Sequence, residues 1–276
     1  MIIMVLVVRN SMNRIKELVT GLTILLFILA FFPKNIGAQS NISINSDGVI
    51  EGTDKIQKDG DVYTLLDDIS VGIFIQKGNI TFDGAGFTIR GTSQGGRGID
   101  LSNNPGSVTI KNLQIRDFDT GIKIVNTNNN KIIGNYLVNC LVGVDIMSYP
   151  NDVIIENNTF VGTGNPISIA YSNGSHVITK NSFIIGTLII VWLSPPPDVY
   201  MNYWSPYQGS DSDGDGIGDT PYVYIATDYA NYSDNQPLME PVPVIPEFPS
   251  WILLPIFSIA TLSAILIRKK MFHQRS

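Results

Sequence analysis

The chain has 276 residues, of which 44% are hydrophobic and 15% are charged, and its formal net charge is −6 at pH 7. This acidic balance argues against a nucleic-acid partner, because a phosphate backbone attracts basic surfaces. The single cysteine excludes an intrachain disulfide, and the length accommodates one domain with accessory segments.

Residues 1–38 have the pattern of an export signal. Basic residues precede an apolar run from Leu18 to Phe32, and the small pair Gly37-Ala38 follows it. This order is typical of a secretory signal peptide, so we predict export with cleavage after Ala38. Without cleavage, the apolar run becomes a marginal membrane anchor.

Residues 79–204 contain a repeat, and its steps can be read from one column of residues. Leu113, Asn135, Asn158, Asn181 and Asn202 follow one another at intervals of 22, 23, 23 and 21 residues. A fixed period built from short segments that alternate apolar and polar side chains predicts a solenoid of strands. Such units are too short for propeller blades and lack helical spacing. The sequence therefore predicts a parallel β-helix with a rise of about 4.8 Å per coil.

Apolar columns keep the same period on both sides of the asparagines. The asparagines are expected to stack as a ladder, because Asn tolerates a left-handed backbone at turns and its amide can both donate and accept. The alternative is that they only mark loops. The columns predicted to face the interior are Ile110, Ile132, Ile155, Ile178 and Val199; Ile115, Leu137, Phe160, Phe183 and Trp204; and Ile99, Ile122, Val144 and Ile167.

The segments on either side of the repeat are predicted to cap its ends. Residues 39–78 contain the alternating block VYTLLDDISVGIFIQ (62–76), interpreted as strands that cover one open end of the core. Residues 205–236 follow the last coil and are interpreted as the cap of the other end.

The acidic stretch DSDGDGIGD (211–219) has the spacing of a calcium-binding loop. Aspartates at its first, third, fifth and ninth positions, with glycine at the sixth, match the start of an EF-hand loop. Tyr222 replaces the twelfth ligand, so the stretch resembles the shortened calcium loops of dockerin and thrombospondin type 3 repeats. A flexible acidic loop is the alternative. The predicted ligands are Asp211, Asp213, Asp215, the backbone carbonyl of Ile217, and Asp219.

The C-terminal part is predicted to hold the protein on a membrane. Residues 237–249 form a Pro-rich linker, and residues 250–270 contain a charge-free run that ends in Arg268-Lys269-Lys270. The basic flank places the C-terminus in the cytoplasm, so the β-helix lies outside the cell. The alternative for the apolar run is a buried core helix.

One outward-facing polar column is a candidate for catalysis. Asp100, Lys123 and Asp145 are expected to stack, which puts the two acids roughly 9.6 Å apart, near the upper limit for inverting glycoside hydrolysis. Lys123 between them favours a plain ion ladder, because it lowers the pKa of both acids. These three residues are therefore weak catalytic candidates, as is the Arg116–Asp119 cluster.

Two further features bear on modification and on metals. One cysteine, two histidines and scattered methionines do not assemble into a recognisable copper site. Five Asn-x-Ser/Thr sequons are candidate glycosylation sites in the exported part: Asn41, Asn79, Asn157, Asn173 and Asn231.

The coils, with their G-I-x-I and N-x-[IF] patterns, resemble the right-handed parallel β-helix repeats of the NosD-like, carbohydrate-binding and sugar-hydrolase superfamily. VYTLLDDIS…GNITFDGAGFTIRG and MNYWSPYQGSDSDGDGIGDTPYVY…DNQPLMEP resemble the beginning and the end of such domains in archaeal surface proteins. PEFPSWILLP…IRKK resembles the PEF-CTERM sorting signal, which implies cleavage by an archaeosortase near Pro246–Pro249. The superfamily name implies a copper-accessory role, but no residue set here matches one to carry over.

These observations predict an all-β protein: a single-stranded right-handed parallel β-helix of about 6–7 coils with a C-terminal transmembrane helix. We expect it on the extracellular face of an archaeal membrane, with a calcium-stabilised cap, binding surface glycans or envelope proteins without catalysis. The alternatives are a polysaccharide lyase or glycoside hydrolase and a NosD-type copper-accessory protein.

Overall fold

The structure is a computed structural model that describes residues 42–92, 95–185, 189–226 and 231–243. The predicted signal peptide (1–38), the sequon at Asn41 and the predicted membrane segment (250–270) lie outside these residues. All the regular elements in the described ranges are β-strands. Within the same ranges no helix has the length and apolar character needed to cross a membrane.

Three sheets, built mainly of parallel strands, run along the molecule. Sheet 1 has eight strands: β1 (Ile42–Ile44), β2 (Ile50–Glu51), β5 (Ile73–Ile75), β8 (Arg97–Asp100), β11 (Thr120–Val125), β14 (Val142–Met147), β17 (Asn165–Ala170) and β20 (Ile189–Trp192). Sheet 2 also has eight: β3 (Ile56–Asp59), β4 (Val62–Leu65), β6 (Thr81–Asp83), β9 (Thr109–Lys111), β12 (Lys131–Ile133), β15 (Ile154–Glu156), β18 (Val177–Thr179) and β21 (Asp198–Tyr200). Sheet 3 has six: β7 (Thr88–Arg90), β10 (Gln114–Arg116), β13 (Tyr136–Val138), β16 (Thr159–Val161), β19 (Ser182–Ile184) and β22 (Tyr203–Trp204).

Each coil contributes one strand to every sheet, so the chain winds as a parallel β-solenoid of about six turns. The predicted columns are rows of paired neighbours: Ile122 pairs with Val144 in sheet 1, Ile132 with Ile155 in sheet 2, and so on along each row. These side chains are buried and form one continuous core. The parallel β-helix predicted from the repeat is confirmed.

The asparagine ladder stands at the corner between sheets 2 and 3. Asn135, Asn158, Asn181 and Asn202 are fully buried, and each accepts hydrogen bonds from the backbone N–H of the preceding ladder residue. The Nδ2 group of Asn158 donates to Asn181 Oδ1 (3.1 Å) and to the carbonyls of Ile132 and Glu156. The ladder thus satisfies buried backbone groups that no strand pairing reaches.

The left-handed backbone conformation at this corner belongs to the residue before each ladder position. The prediction from the sequence placed it at the ladder asparagine itself. The residues with positive φ are Asn112, Gly134, Asn157, Lys180 and Met201, with φ between 53° and 65°. The ladder asparagines themselves are not among the residues with positive φ, and their side chains are buried. The two roles that the sequence assigned to one residue are therefore divided between neighbours.

A tyrosine-rich hairpin closes the C-terminal end of the core. It consists of β23 (Tyr222–Ala226) and β24 (Asn231–Asp234), paired antiparallel. The rings of Tyr222 and Tyr224 stack on Trp204, which itself stacks on Phe183 at 4.3 Å between centroids. The hairpin therefore covers the aromatic end of an interior column that would otherwise face water.

Asp234 ends the asparagine ladder. Its side chain is fully buried, and Oδ2 accepts hydrogen bonds from Asn202 N, Asn202 Nδ2 and Trp204 Nε1 at 2.9, 3.2 and 3.0 Å. The carboxylate thus occupies the position that the next asparagine would take. A charged acceptor suits this position, because it takes three donors at once and no further coil follows.

The N-terminal end is closed by short antiparallel pairs. Strand β1 pairs with β2, and β3 pairs with β4. Strands β1 and β4 also pair in parallel with β5 and β6, so this segment both covers the end and begins the winding. The buried Tyr63 hydroxyl donates to the carbonyl of Gly48 at 2.9 Å and ties the two hairpins together.

Candidate functional site

The acidic loop brings three of its four predicted carboxylates together. Oxygen atoms of Asp211, Asp213 and Asp215 lie within 4.8 Å of one another. The loop is shaped by its own side chains: Asp211 accepts from the N–H groups of Gly214 and Gly216, and both glycines have positive φ. Convergent carboxylate oxygens on an exposed turn are the donor set that Ca²⁺ prefers, so this part of the loop fits a hard cation.

Asp219 points to a different group of partners. Its Oδ2 accepts from Ser210 Oγ, Ser212 N and Ser212 Oγ at 2.7–3.0 Å. The Ser212 hydroxyl, followed by that of Ser210, holds the pKa of Asp219 below its usual range. Ile217 lies opposite Leu238 in an isolated antiparallel bridge, whose hydrogen bonds use the carbonyls of Gly216 and Pro237. Asp219, the ninth position of the predicted calcium loop, is thus engaged in the turn by Ser210 and Ser212.

The outward column of sheet 1 is an ion ladder. Asp100, Lys123 and Asp145 are neighbours in register, as the repeat predicted. Lys123 Nζ pairs with Asp145, and the Arg97 guanidinium pairs with Asp100 at 2.5 Å. Both acids are thus paired with cations, an environment unlike that of a general acid, whose proton is retained by burial or by a like charge.

The thiol and the imidazole in the described part of the chain are buried structural groups. Cys140 is 1% exposed, and burial raises its thiol pKa to about 11. His176 is fully buried: Nδ1 accepts from Val153 N, and Nε2 lies 2.5 Å from Ser172 Oγ, which donates to the Pro150 carbonyl. Burial lowers the His176 pKa to about 4, so the ring is neutral at pH 7.

Three exposed aromatic side chains lie in the last coils where sheet 1 leads towards sheet 2. Tyr149, Tyr171 and Trp192 are 61%, 47% and 61% exposed. They belong to consecutive coils, because Tyr149 N donates to Tyr171 O (2.7 Å) and Tyr171 N donates to Trp192 O (3.0 Å). They are not in register, because Trp192 ends β20 and pairs with Ala170, the residue before Tyr171.

Two of these aromatic residues have a strained backbone. The φ angles of Tyr149 and Tyr171 are 68° and 53°. The register position of Tyr171 is held by Asn126 and Ser148 in the two preceding coils and by Leu193 in the next coil, and all three also have positive φ. Asparagine tolerates this conformation, whereas a bulky side chain is an outlier there.

These exposed aromatic residues were not predicted from the sequence, where only the inward columns and the charged outward column were followed. Their spacings of 22 and 21 residues are each one shorter than the register steps from Met147 to Ala170 and from Ala170 to Trp192, so periodicity does not mark them. Asp234 was also missed, and no periodic signal marks it, because it stands 32 residues after Asn202.

The predicted sequons differ in accessibility. Asn79 and Asn173 are exposed, whereas Asn157 is half-buried at a ladder corner and the hydroxyl-bearing residue of its sequon, Thr159, is 4% exposed. The backbone of Asn231 belongs to β24. An external enzyme can therefore reach the side chains of Asn79 and Asn173 in the folded protein.

A comparison with known protein families agrees with the β-helix described above. Residues 62–202 match the family model described as right handed beta helix region, which covers just over half of the chain. The fold and this match define the class as a right-handed parallel β-helix protein. The chain belongs to the right handed beta helix family. Neither the curated proteins nor the solved structures contain a match to it.

Proposed function

We propose that this protein is a non-catalytic binding module on the outside of the cell, and that it recognises glycans or neighbouring envelope proteins. The observation that carries the proposal is the pairing of both outward acids of sheet 1 with cations, Asp100 with Arg97 and Asp145 with Lys123. This leaves a rigid surface with regularly repeated side chains and paired charges. Such a surface suits the recognition of a repeating polymer better than acid–base chemistry.

Export and anchoring are parts of the proposal that rest on sequence. Residues 1–38 have the order of a signal peptide, and residues 250–270 have the composition of a membrane span followed by basic residues. The resemblance to NosD-like archaeal surface proteins and to a PEF-CTERM sorting signal supports the same location. In this proposal the β-helix lies on the extracellular face and an archaeosortase is a processing partner.

Calcium is the proposed ligand of the loop 211–219. The convergence of Asp211, Asp213 and Asp215 supports the proposal. The loop also contacts the start of the segment 237–249, because Gly218 N donates to Pro237 O and Met239 N donates to Gly216 O. Bound calcium would neutralise repulsion among the three carboxylates and so stabilise the C-terminal cap.

A polysaccharide lyase or glycosidase is the second candidate, favoured by the alignment of Asp100 and Asp145 two coils apart. Lys123, which lies between them and pairs with Asp145, disfavours it. A NosD-type copper role lacks a comparable observation among the residues that the structure describes, since the Cys140 thiol is buried and both ring nitrogens of His176 have partners.

The test uses the full chain in detergent against a library of purified polysaccharides, scored for both binding and cleavage. The proposal predicts retention of at least one polysaccharide, or of an envelope protein from the same cells, without release of sugar fragments. If the chain releases sugar fragments, and Asp145→Asn abolishes this release while Asp152→Asn preserves it, the protein is a hydrolase or lyase and not a non-catalytic binding module. Asp152 is an exposed acid outside the ion ladder and serves as the control.

A further inference from the structure

We propose that the outward face of sheet 3 binds residues 244–249 of this chain's own Pro-rich linker, with the Glu247 carboxylate paired to the Arg116 guanidinium. The linker is then a fixed strap along the solenoid and not a free spacer. This inference does not depend on glycan binding. Only its consequence for the orientation of the solenoid uses the proposed membrane anchor.

The first observation is the path of the described part of the linker. Leu238 pairs with Tyr203 one rung beyond the last strand of sheet 3, and Leu238 N donates to Asn202 O at 2.9 Å. Four residues later, Val242 N donates to Ser182 Oγ, also at 2.9 Å, on the strand before β22. The chain therefore turns back at the cap and moves about two rungs, roughly 9.6 Å, toward the N-terminal end over the outward face of sheet 3.

The second observation is an arginine without an acidic partner on the same face. Arg116 pairs in register with Val138 and is half-buried. Its Nε is shielded from solvent and has no hydrogen-bond partner among the described residues, and none of the ion pairs in these ranges includes it. The neighbouring Arg90 already pairs with Asp117 at 3.4 Å. A shielded donor without an acceptor costs stability, and an anionic partner would relieve this cost.

The length of chain between Val242 and Glu247 matches the distance to this arginine. The prolines of the segment favour a polyproline II conformation with about 3.1 Å per residue, so five residues span about 15.5 Å. Arg116 lies three rungs from Ser182, from β19 through β16 and β13 to β10, or about 14.4 Å. Glu247 is the only acidic residue of the sequence beyond position 240. The one carboxylate that the linker carries past Val242 therefore reaches the level of the guanidinium.

Apolar side chains between these two points provide a surface for the linker. Val138, Val161 and Ile184 pair in register on the outward face of sheet 3, one per coil. Ile245 travels about 9.3 Å from Val242 in the same conformation and comes level with Val138, which lies two rungs, about 9.6 Å, along the axis. Polyproline II segments leave their backbone unpaired and are bound through side chains. An apolar row that ends in a guanidinium thus matches a linker whose apolar residues precede one acid.

Docking would set the orientation of the solenoid at the membrane. The predicted membrane segment, 250–270, begins three residues after Glu247. It would therefore start beside strands β10 and β7 and not beyond the C-terminal cap. Sheet 3 would then face the membrane, and the ion ladder of sheet 1 would lie on a different side of the solenoid.

The test is disulfide formation in the full chain in detergent, in a Cys140→Thr background so that the introduced thiols are the only ones. Ile245→Cys with Val138→Cys joins the linker to sheet 3. Ile245→Cys with Glu156→Cys is the matched control, because Glu156 lies on the outward face of sheet 2, across the asparagine corner and one coil from β19. A linker that is free beyond position 243 reaches both positions, whereas a docked linker reaches only the first. We expect the first pair to oxidise about tenfold faster, with the intact mass of an intrachain disulfide.

A charge swap tests whether the pairing of Arg116 with Glu247 holds the linker. Arg116→Glu should slow the disulfide between Ile245→Cys and Val138→Cys about fivefold, because it replaces an attraction by a repulsion. Adding Glu247→Arg should restore the rate, and this recovery excludes misfolding as the cause of the loss. Lys131→Glu, at an exposed position of sheet 2, is the control and should leave the rate unchanged.

Each of the other outcomes contradicts part of the proposal. Equal rates for the two cysteine pairs would overturn docking on sheet 3. A fast disulfide that Arg116→Glu does not slow would overturn the pairing with Glu247. A disulfide between two chains would assign the outward face of sheet 3 to the linker of a second copy. Polysaccharide retention is a separate measurement, so a failure of docking does not count against glycan binding.

Discussion

His176 shows how one residue in the repeat can make stability depend on pH. Asn130 and His176 belong to the same column two coils apart, and each accepts a backbone N–H, from Val108 and Val153 respectively. Asn130 accepts with its amide oxygen, which does not titrate. His176 accepts with Nδ1, which must stay unprotonated, and burial lowers the pKa of His176 to about 4.

The sign of this dependence follows from the two pKa values. The unfolded chain binds a proton at His176 below about pH 6.5, whereas the folded chain resists it until about pH 4. The free energy of unfolding therefore falls as pH drops through this window, by about 2 kcal/mol between pH 7 and pH 5. Denaturant unfolding at both pH values should show this loss, and His176→Asn should remove it. An equal loss in the variant would assign the pH dependence to other groups.

At the scale of elements, the C-terminal cap depends on Asp234. Asp234→Ala leaves Asn202 N and Trp204 Nε1 without their acceptor, and it removes one of the bonds made by Asn202 Nδ2. Each buried donor without a partner costs about 1–3 kcal/mol, so we expect a loss of about 3 kcal/mol in denaturant unfolding. Asn235→Ala, at the exposed neighbouring position, should cost less than about 0.5 kcal/mol. Similar losses in the two variants would contradict the role given to Asp234.

The acidic loop gives the second prediction at this scale. Calcium in the millimolar range should raise the thermal midpoint of the full chain relative to EGTA, because a ligand that binds only the folded state stabilises it. Asp213→Ala should abolish the increase, whereas Asp152→Ala, outside the loop, should retain it. A thermal midpoint of the unmodified chain that does not respond to calcium would contradict calcium binding by this loop.

The elements could be predicted from the sequence to the extent that the repeat determines them. Ile122, Val144 and Ile167 recur with the period because every coil must bury the same position, so their pairing was readable in advance. Asp234 and the hairpin β23–β24 occur once and close the end, so no recurrence marks them. Nor could spacing alone show that Asp219 bonds to Ser210 and Ser212 and so stands apart from the other three acids.

At the scale of the whole molecule, the residues that build the core and the residues available for function lie on opposite faces of the same strands. Inward positions repeat apolar residues to fill one core, while outward positions are free to differ from coil to coil. That freedom allows ion pairs on sheet 1 and, in the last coils, exposed aromatic side chains. Because each coil contacts mainly its neighbours, surface changes such as Tyr171→Asn should have little effect on the rest of the solenoid.

The central claim is that residues one repeat apart are vertical neighbours, and cysteine crosslinking tests it most directly. Val125 and Met147 pair in register on the outward face, and Ala170 follows Met147 one coil further on. In a Cys140→Thr background, chosen because Thr163 stands one period after Cys140, Val125→Cys with Met147→Cys brings two thiols to adjacent strands. Their Cα atoms are then about 4.8 Å apart, within the range of a disulfide.

Mild oxidation followed by mass spectrometry of the intact protein should show an intrachain disulfide for this pair. The pair Val125→Cys with Ala170→Cys spans two coils, roughly 9.6 Å, and should stay reduced. A disulfide in the second pair and none in the first would contradict the stacked winding from which the core and the asparagine ladder follow.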